Sequence, residues 1–410
     1  MRDLPIVTVP RPLTNLDHDT VRRFTADALD RLVAGITRDP SRSSHFTMME
    51  PLPDEAILRY EGSDLLAAAA GFQEDFLTRG WGDGFPLVLP TEEAVAEMMT
   101  RTPHKPDEVI AVLEPGMGLA TVERLAVNAV MAGCRPEHLP VLIAAVQAIS
   151  EPEFNLRDVA MSTGPHAPLI VVNGPIVQQI GLNSGRGALG PGVQSRVNTV
   201  IGRALRLILM NVGKCYLGIL DLDTIGSPKK YGMCLAENEA ANPWMPISVE
   251  RGLPEGQSAV TMFSVESEIE VYDFYNCRAR PLLQTFAGSA TSSGACSVQL
   301  SFHNRPEMHN LVLLAPEHAE IFAAEGWTKE DLRQELFKTA RREWKWIGAG
   351  QDHAVVRDEW KWVVDRPDEL VQVTREPRFF HFVVVGGAAG KSQYLTGLGA
   401  PVTKPIETVP

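Results

Sequence analysis

The segment Leu169-Ile170-Val171-Val172-Asn173-Gly174-Pro175 decides the fold class. Its four consecutive apolar residues, three of them β-branched, predict a strand that is buried on both faces, as in a sheet covered by helices. The Asn-Gly-Pro that follows ends the strand in a turn. Helical patterns lie on both sides, at residues 136–149 and 195–210, so the order of elements is typical of alternating strands and helices.

The same alternation continues outward along the chain. Residues 109–113, 311–314 and 379–385 predict further buried strands. Thr121 is placed to cap a helix that Gly133 ends. Thr328 with Asp331 predicts a capping box for a helix that runs to Trp344. Residues 87–89 predict a short strand. We therefore predict an α/β fold with a mixed or mostly parallel sheet, flanking helices and two lobes. No internal repeat is apparent in the sequence.

Composition divides the chain into three parts. Residues 1–60 are rich in proline and polar residues and contain one amphipathic segment, so we interpret them as an arm that wraps the body or a neighbouring subunit. Residues 61–245 are predicted to be an α/β core with loops rich in Gly and Asn. Residues 246–410 are predicted to be a second α/β lobe that ends in a glycine-rich loop. The arm is the reason to expect a homo-oligomer.

The bulk composition narrows the class of protein. The 410 residues carry a net charge of -13, and no basic run of binding length is present, which argues against a nucleic-acid surface. No apolar run reaches the roughly 20 residues that a membrane-spanning helix needs. Five widely spaced cysteines without a Cys-x-x-Cys pair are typical of a reduced, cytoplasmic protein.

Residues 159–243 concentrate Gly, Pro and Asn between apolar runs, and loops of this kind carry function more often than they support a core. Within and near them, several amide and guanidinium side chains are candidates to orient a substrate or stabilise a developing oxyanion. These candidate substrate-binding residues are Asn128, Asn173, Asn183, Arg203 and Asn238.

Two cysteines are candidates for a reactive thiolate. Cys134 follows Gly133 and precedes a predicted helix start, and Arg135 adds positive charge, both of which lower a thiol pKa. Cys296 lies in a run of small residues that would expose a thiol. The alternative is that both thiols are inert core residues, as most free cysteines are.

Proton transfer would need an acid or base close to the thiolate. Glu237 and Glu239 flank Asn238, and two carboxylates on one face raise the pKa of one of them, which suits a general base. His318 begins a helix after a predicted strand, a frequent place for catalytic side chains. The alternatives are a solvated acidic turn and a capping histidine.

A metal site is the competing interpretation. His303, Glu307, His309 and His318 fall close together in sequence, but their spacing matches no established zinc signature, so we predict no specific metal ligand. Two glycine-rich segments, at residues 116–121 and 386–392, resemble nucleotide-binding loops imperfectly. We favour ordinary tight turns for both, and the sequence names no cofactor.

Several motifs are spread over residues 78–405, at 82–86, 121–136, 173–175, 201–204, 237–239, 316–319 and 326–327. Together they resemble the large bacterial proteins associated with the UGSC-motif (seleno)protein family. The resemblance implies thiol- or selenol-type redox chemistry on a small molecule, with a small redox partner subunit.

The chain departs from the family pattern at two places. Ser293-Gly294-Ala295-Cys296 has the length of the U-G-S-C motif but carries Ser for selenocysteine and Ala for Ser. Cys296 therefore lacks the local partner of a two-residue redox couple. Ser227 and Lys229 flank Pro228 where the family has His and Gly.

Three functions follow from these observations. The first is an enzyme that acts on a small organic molecule by thiol-based, oxidoreductase-type chemistry, with Cys134 or Cys296 as nucleophile and His318 or Glu237 as proton donor or base. The second is a metal-dependent lyase or hydrolase that uses the His/Glu cluster. The third is a non-catalytic subunit that binds a catalytic partner.

Overall fold

The computed structural model describes residues 17–37, 57–292, 302, 307–347 and 356–409. The chain divides into two units, Met1–Arg59 and Tyr60–Pro410. In the first unit, helix α1 (His18–Ile36) begins after Asp17, whose carboxylate accepts a hydrogen bond from the Thr20 N–H at 2.8 Å. The elements described below belong to the second unit.

Helices and strands alternate through the second unit. The α-helices are α2 (Leu65–Thr78), α3 (Glu92–Met98), α4 (Val122–Ala132), α5 (Leu139–Ile149), α6 (Leu156–Met161), α7 (Ile176–Gln179), α8 (Arg196–Asn211), α9 (Ile247–Glu250), α10 (Ala279–Ser292), α11 (Pro316–Ala324), α12 (Lys329–Thr339) and α13 (Lys361–Val364). The strands are β1 (Val109–Leu113), β2 (Gly118–Thr121), β3 (Ala167–Asn173), β4 (Met233–Ala236), β5 (Ala259–Val265), β6 (Ser267–Tyr272), β7 (Asn310–Leu314), β8 (Arg341–Glu343), β9 (Leu370–Gln372), β10 (Phe380–Val384), β11 (Lys391–Thr396) and β12 (Val402–Pro405).

The local signals in the sequence set several of these boundaries. Thr121 caps α4, because its hydroxyl accepts a hydrogen bond from the Arg124 N–H. Gly133 ends α4 with a φ of 87°, a left-handed conformation that glycine adopts without a steric penalty. Thr328 and Asp331 form the predicted capping box at the start of α12.

Two four-stranded sheets form the centre of the fold, in the orders β4-β3-β5-β12 and β10-β7-β11-β6. Each sheet has one parallel pair, β3 with β4 and β7 with β10, and its other pairs are antiparallel. Helices connect the strands of each parallel pair, as a parallel crossover requires. The predicted α/β class with a mixed sheet and flanking helices is confirmed.

The two sheets repeat one topology. In the first, β3 pairs in parallel with β4 and antiparallel with β5; in the second, β7 pairs in parallel with β10 and antiparallel with β11. The last strand of each half then crosses to the other sheet, since β6 pairs with β11 and β12 pairs with β5. The eight strands of these two sheets therefore form an internal repeat with exchanged edge strands.

The two sheets pack face to face between two helical layers. Leu169, Val171 and Phe263 of one sheet share a buried cluster with Leu311 and Val383 of the other. The opposite face of the second sheet packs on α10, α11 and α12. The opposite face of the first sheet contacts α5 and α8. Strands β3 and β7 are buried on both faces, which explains their continuous apolar sequences.

Two findings differ from the expectations. Strand β1 forms at the predicted residues, but it pairs with β2 in a two-stranded hairpin and leaves Val109 and Val112 about half exposed, so it is not a buried strand. The first sheet takes strands from both sides of residue 245, where a lobe boundary was expected. A helix long and apolar enough to cross a membrane does not occur in the described part of the chain.

Candidate functional site

The carboxyl ends of the two parallel pairs meet at one place. The Asn238 N–H, just after β4, donates to Val384 O of β10 at 2.8 Å, and Asn238 Nδ2 donates to Gly386 O at 3.3 Å. The Gly386 N–H donates to Ser184 O at 2.9 Å. We call the loops that follow β3, β4, β7 and β10, residues 173–187, 237–246, 315–318 and 385–390, the strand-end cluster. Ligands in open α/β sheets commonly bind at such strand ends.

Asn173 is the centre of the cluster on the first sheet. Its Nδ2 donates to Glu237 Oε2 at 2.7 Å and to Glu239 Oε1 at 2.9 Å. The Gly174 N–H also donates to Glu239, at 2.8 Å. The two carboxylates of the predicted pair thus converge on one amide, and the fully buried Asn173 keeps its Oδ1 without a hydrogen-bond partner among the described residues.

Glu237 is buried and fully engaged. Besides Asn173, its carboxylate accepts hydrogen bonds from Asn242 Nδ2 and from the Ile247 N–H, both at 2.8 Å. Burial raises its pKa, while the charge of Lys329 and the Asn173 hydrogen bond act in the opposite direction. Because three donors already occupy this carboxylate, it holds the loops after β3 and β4 in position, whereas Glu239 is exposed.

Asn183 shapes the second half of the loop that follows β3. Its Nδ2 donates to Ser195 Oγ at 2.9 Å and to Arg186 O at 3.0 Å, and its Oδ1 accepts from the Gly185 N–H. These bonds fold residues 183–187 into a tight turn that presents the exposed Arg186 side chain toward the loop after β10.

Side chains of all three other loops contact the glycine-rich loop after β10, where Asn238 Nδ2 donates to Gly386 O. Arg186 Nη2 donates to Ala388 O, and the Ala389 N–H donates to Glu317 Oε2, each at 3.3 Å. Ala389 has a φ of 105°, a strained value for a residue with a side chain, and such strain is concentrated at functional sites. The loop leads directly into strand β11 rather than into a helix, so it is not a nucleotide-binding P-loop.

His318 helps to hold the glycine-rich loop after β10 in position. Its Nδ1 lies 2.7 Å from Ser392 Oγ and its Nε2 lies 2.9 Å from Asp273 O, and the side chain is buried. A carbonyl only accepts, so Nε2 carries the proton and Nδ1 accepts from Ser392. Gly390 passes so close that a Cβ there would lie 2.9 Å from His318 Nε2. His318 therefore fixes the loop, and its ring is not directed at Cys134.

Cys134 lies away from these loops. Its thiol donates to Val200 O at 3.4 Å, and burial raises its pKa far above the usual range, although Arg203 opposes this effect. The residue as a whole is partly exposed, yet the enclosed thiol lacks the activation that the helix start was expected to provide. The side chains predicted to act with Cys134 are hydrogen-bonded elsewhere, His318 to Ser392 and Glu237 to Asn242.

Arg203 and Asn128 make structural contacts. Arg203 forms a two-point ion pair with Asp83 at 2.7 and 2.8 Å and also donates to Phe85 O and Pro86 O, which fixes the loop between α2 and α3. Asn128 donates to Arg124 O and accepts from Asn211 Nδ2 at 2.7 Å, which joins α4 to α8. Neither side chain is directed at the strand-end cluster.

The described residues contain no group of three His, Cys, Asp or Glu side chains that could hold a metal ion. They therefore provide no ligand set for the metal hypothesis. His309 is engaged with His381 at 2.8 Å and with Glu307 at 3.1 Å, apart from His318. Cys296 and His303 lie outside the described residues.

Sequence reasoning selected Asn173, Asn183, Glu237 and Asn238, which the structure brings into one cluster. It did not assign roles to Arg186, which lies in the turn-rich residues 159–243, or to Glu317, which lies in the motif at residues 316–319. Comparisons with protein-family models, curated proteins and solved structures found no match to this chain.

Proposed function

We propose that this protein is an enzyme that acts on a small organic anion at the strand-end cluster. The observation that supports the proposal best is the convergence of four loops, each following one strand of a parallel pair, through hydrogen bonds of Asn238, Ser184, Gly386 and Glu317. Polar side chains on rigid strand ends are the usual arrangement of an α/β active site.

The exposed side chains of the strand-end cluster supply one anion-binding group and two carboxylates for proton transfer. Arg186 donates to a backbone carbonyl at 3.3 Å and forms no ion pair among the described residues, so its guanidinium is available to bind a carboxylate or phosphate group. Glu239 and Glu317 are exposed carboxylates on neighbouring loops, and one acid and one base are what general acid–base catalysis needs. Asn238 would orient the substrate.

The thiol-based alternative stays a second proposal that rests on the family resemblance. It would depend on Cys296, since burial raises the pKa of Cys134. Trapping of a labelled thiol intermediate in wild-type protein but not in Cys296→Ser would favour this alternative.

A turnover screen tests the main proposal. Purified protein is incubated with a pool of small organic acids and phosphate esters, and consumption is followed by mass spectrometry. We expect loss of at least one pool component, a drop of about 10²-fold or more in Arg186→Met, and a similar drop in Glu317→Gln. Arg101→Met, which alters an exposed arginine on another surface, is the matched control. Turnover that is unchanged in both cluster variants contradicts the proposal, and no turnover at all favours a non-catalytic subunit.

A further inference from the structure

A second polar region lies at the opposite end of β3 and β4, where these strands begin. A cleft opens there beside the turn 228–231 that leads into β4. The cleft is lined by His166, Pro168, Arg206, Leu209, Lys229 and Lys230. None of these residues belongs to the strand-end cluster.

His166 is the least satisfied side chain of the cleft. It is only 2% exposed, and neither Nδ1 nor Nε2 has a hydrogen-bond partner among the described residues. A buried polar group without a partner costs about 1–3 kcal/mol, so it is normally paired with protein, water or ligand. A neutral imidazole offers one donor and one acceptor to whatever occupies the cleft.

Most charges in the cleft are already balanced. The buried Asp221 accepts from Arg206 at 3.0 Å and from Lys230 at 2.8 Å, and Lys230 lies 2.9 Å from Asp223. Two cations and two carboxylates thus form a closed set. Lys229 lies on the same turn as Lys230 and is a further cation outside this set.

Lys229 is half-buried, and its ammonium has one hydrogen bond, at 3.3 Å to Ser227 Oγ. Burial lowers its pKa, while Glu268, Asp223 and Glu266 oppose that effect. Glu268 is exposed and therefore screened by solvent, and Glu266 accepts a hydrogen bond from Thr396 Oγ1 at 3.3 Å. No carboxylate of the described residues forms an ion pair with Lys229, so an ammonium facing the cleft keeps donors to offer.

We propose that this cleft binds a small organic carboxylate, whose oxygens accept hydrogen bonds from Lys229 Nζ and from the His166 ring. The ligand would satisfy the buried ring and neutralise Lys229 while the Asp221 set stays intact. A metal ion fits less well, because the lining residues supply one imidazole and a carboxylate already engaged by two cations.

Malonate is a suitable probe, with acetate as a single-carboxylate probe and inorganic phosphate as a different oxyanion. Binding is measured by calorimetry on the full chain, and the His166 ring is followed by NMR of protein labelled with ¹⁵N-histidine. We expect malonate to shift the ring resonances that disappear in His166→Gln, and Lys229→Gln to weaken malonate binding about tenfold or more.

Lys338→Gln removes an exposed lysine on α12 and is the matched control, for which malonate affinity is expected to stay unchanged. Lys229 is half-exposed, so Lys229→Gln reports on binding even where His166→Gln perturbs folding. The proposal is overturned if neither malonate nor acetate binds, if Lys229→Gln binds malonate as the wild type does, or if phosphate binds and the carboxylates do not.

Discussion

At the scale of single residues, the two thiols Cys134 and Cys277 have opposite surroundings. Burial raises the pKa of Cys134, whereas Cys277 is exposed. Because alkylation requires an accessible thiolate, we expect iodoacetamide to modify Cys277 in the native protein and Cys134 only after unfolding. Peptide mass spectrometry measures both in one sample. Modification of Cys134 in native protein below pH 7 would contradict this expectation and restore the nucleophile hypothesis.

Substitution of Glu237 tests whether its buried carboxylate stabilises the strand-end cluster. In Glu237→Gln an amide NH₂ replaces one oxygen and faces a donor, so we expect a loss of about 1–3 kcal/mol in the free energy of unfolding. Glu239→Gln changes the exposed member of the same pair and should cost less, about 0.5 kcal/mol. Urea unfolding of the two variants gives the comparison. Equal losses would show that burial of the Glu237 carboxylate is not what matters.

Two predicted site residues have surroundings that the sequence alone does not show. The guanidinium of Arg203 could bind a substrate, but it is already paired with Asp83, which lies 120 positions earlier in the chain. Cys134 stands at a helix start, yet the surrounding helices enclose its thiol. A sequence shows which groups are available locally and does not show which distant groups occupy them. Asn173 and Glu237 were found because a turn-rich motif marks a strand end without distant information.

At the scale of elements, two helical glycines make a matched pair. A Cβ added to Gly202 of α8 would lie 2.8 Å from Met233 N of β4, so the helix rests directly on the sheet. A Cβ added to Gly288 of α10 would meet open space, and this glycine has an ordinary helical φ. We expect Gly202→Ala to lower the free energy of unfolding by about 1–3 kcal/mol and Gly288→Ala to raise it by about 0.5–1 kcal/mol. Thermal unfolding of the pair checks both signs, and a stabilised Gly202→Ala would refute the close contact.

The elements that the sequence predicts well are those with local signals. The cap at Thr121, the glycine stop at Gly133 and the capping box at Thr328 all appear as predicted. Helix α12 nevertheless ends at Thr339, earlier than the expected Trp344, because residues 341–343 pair with 370–372 as strands. Residues 87–89, predicted as a strand, form none. In these cases a partner distant in sequence decides the local structure.

At the scale of the whole molecule, buried histidines make stability depend on pH. Burial lowers the pKa of His138 and His309 to about 4, and it also lowers the pKa of His166 and His381. In the unfolded chain these groups take up protons near pH 6.5, before the folded protein does, so stability falls as pH drops from about 6.5 to about 4. We expect a lower urea midpoint at about pH 5 than at about pH 7.5. An unchanged midpoint would mean that these side chains are not held neutral by burial.

The repeated topology is not apparent in the sequence. Asn173 and Ala315 occupy equivalent positions after β3 and β7, and Glu237 and Val385 do so after β4 and β10. Two halves can share a backbone arrangement if their core positions hold apolar residues of about the right size, and these need not be the same residues. The two halves therefore differ in sequence while their strands have the same topology.

The exchanged strands have a consequence for dividing the chain. A cut between β6 and α10 would leave one fragment with β6 but without β12, and the other with β12 but without β6. Each fragment would then carry an unpaired edge and the strand that completes its counterpart, which is the condition for reconstitution from separately expressed pieces. Each half therefore holds three strands of its own sheet and supplies the fourth strand of the other sheet.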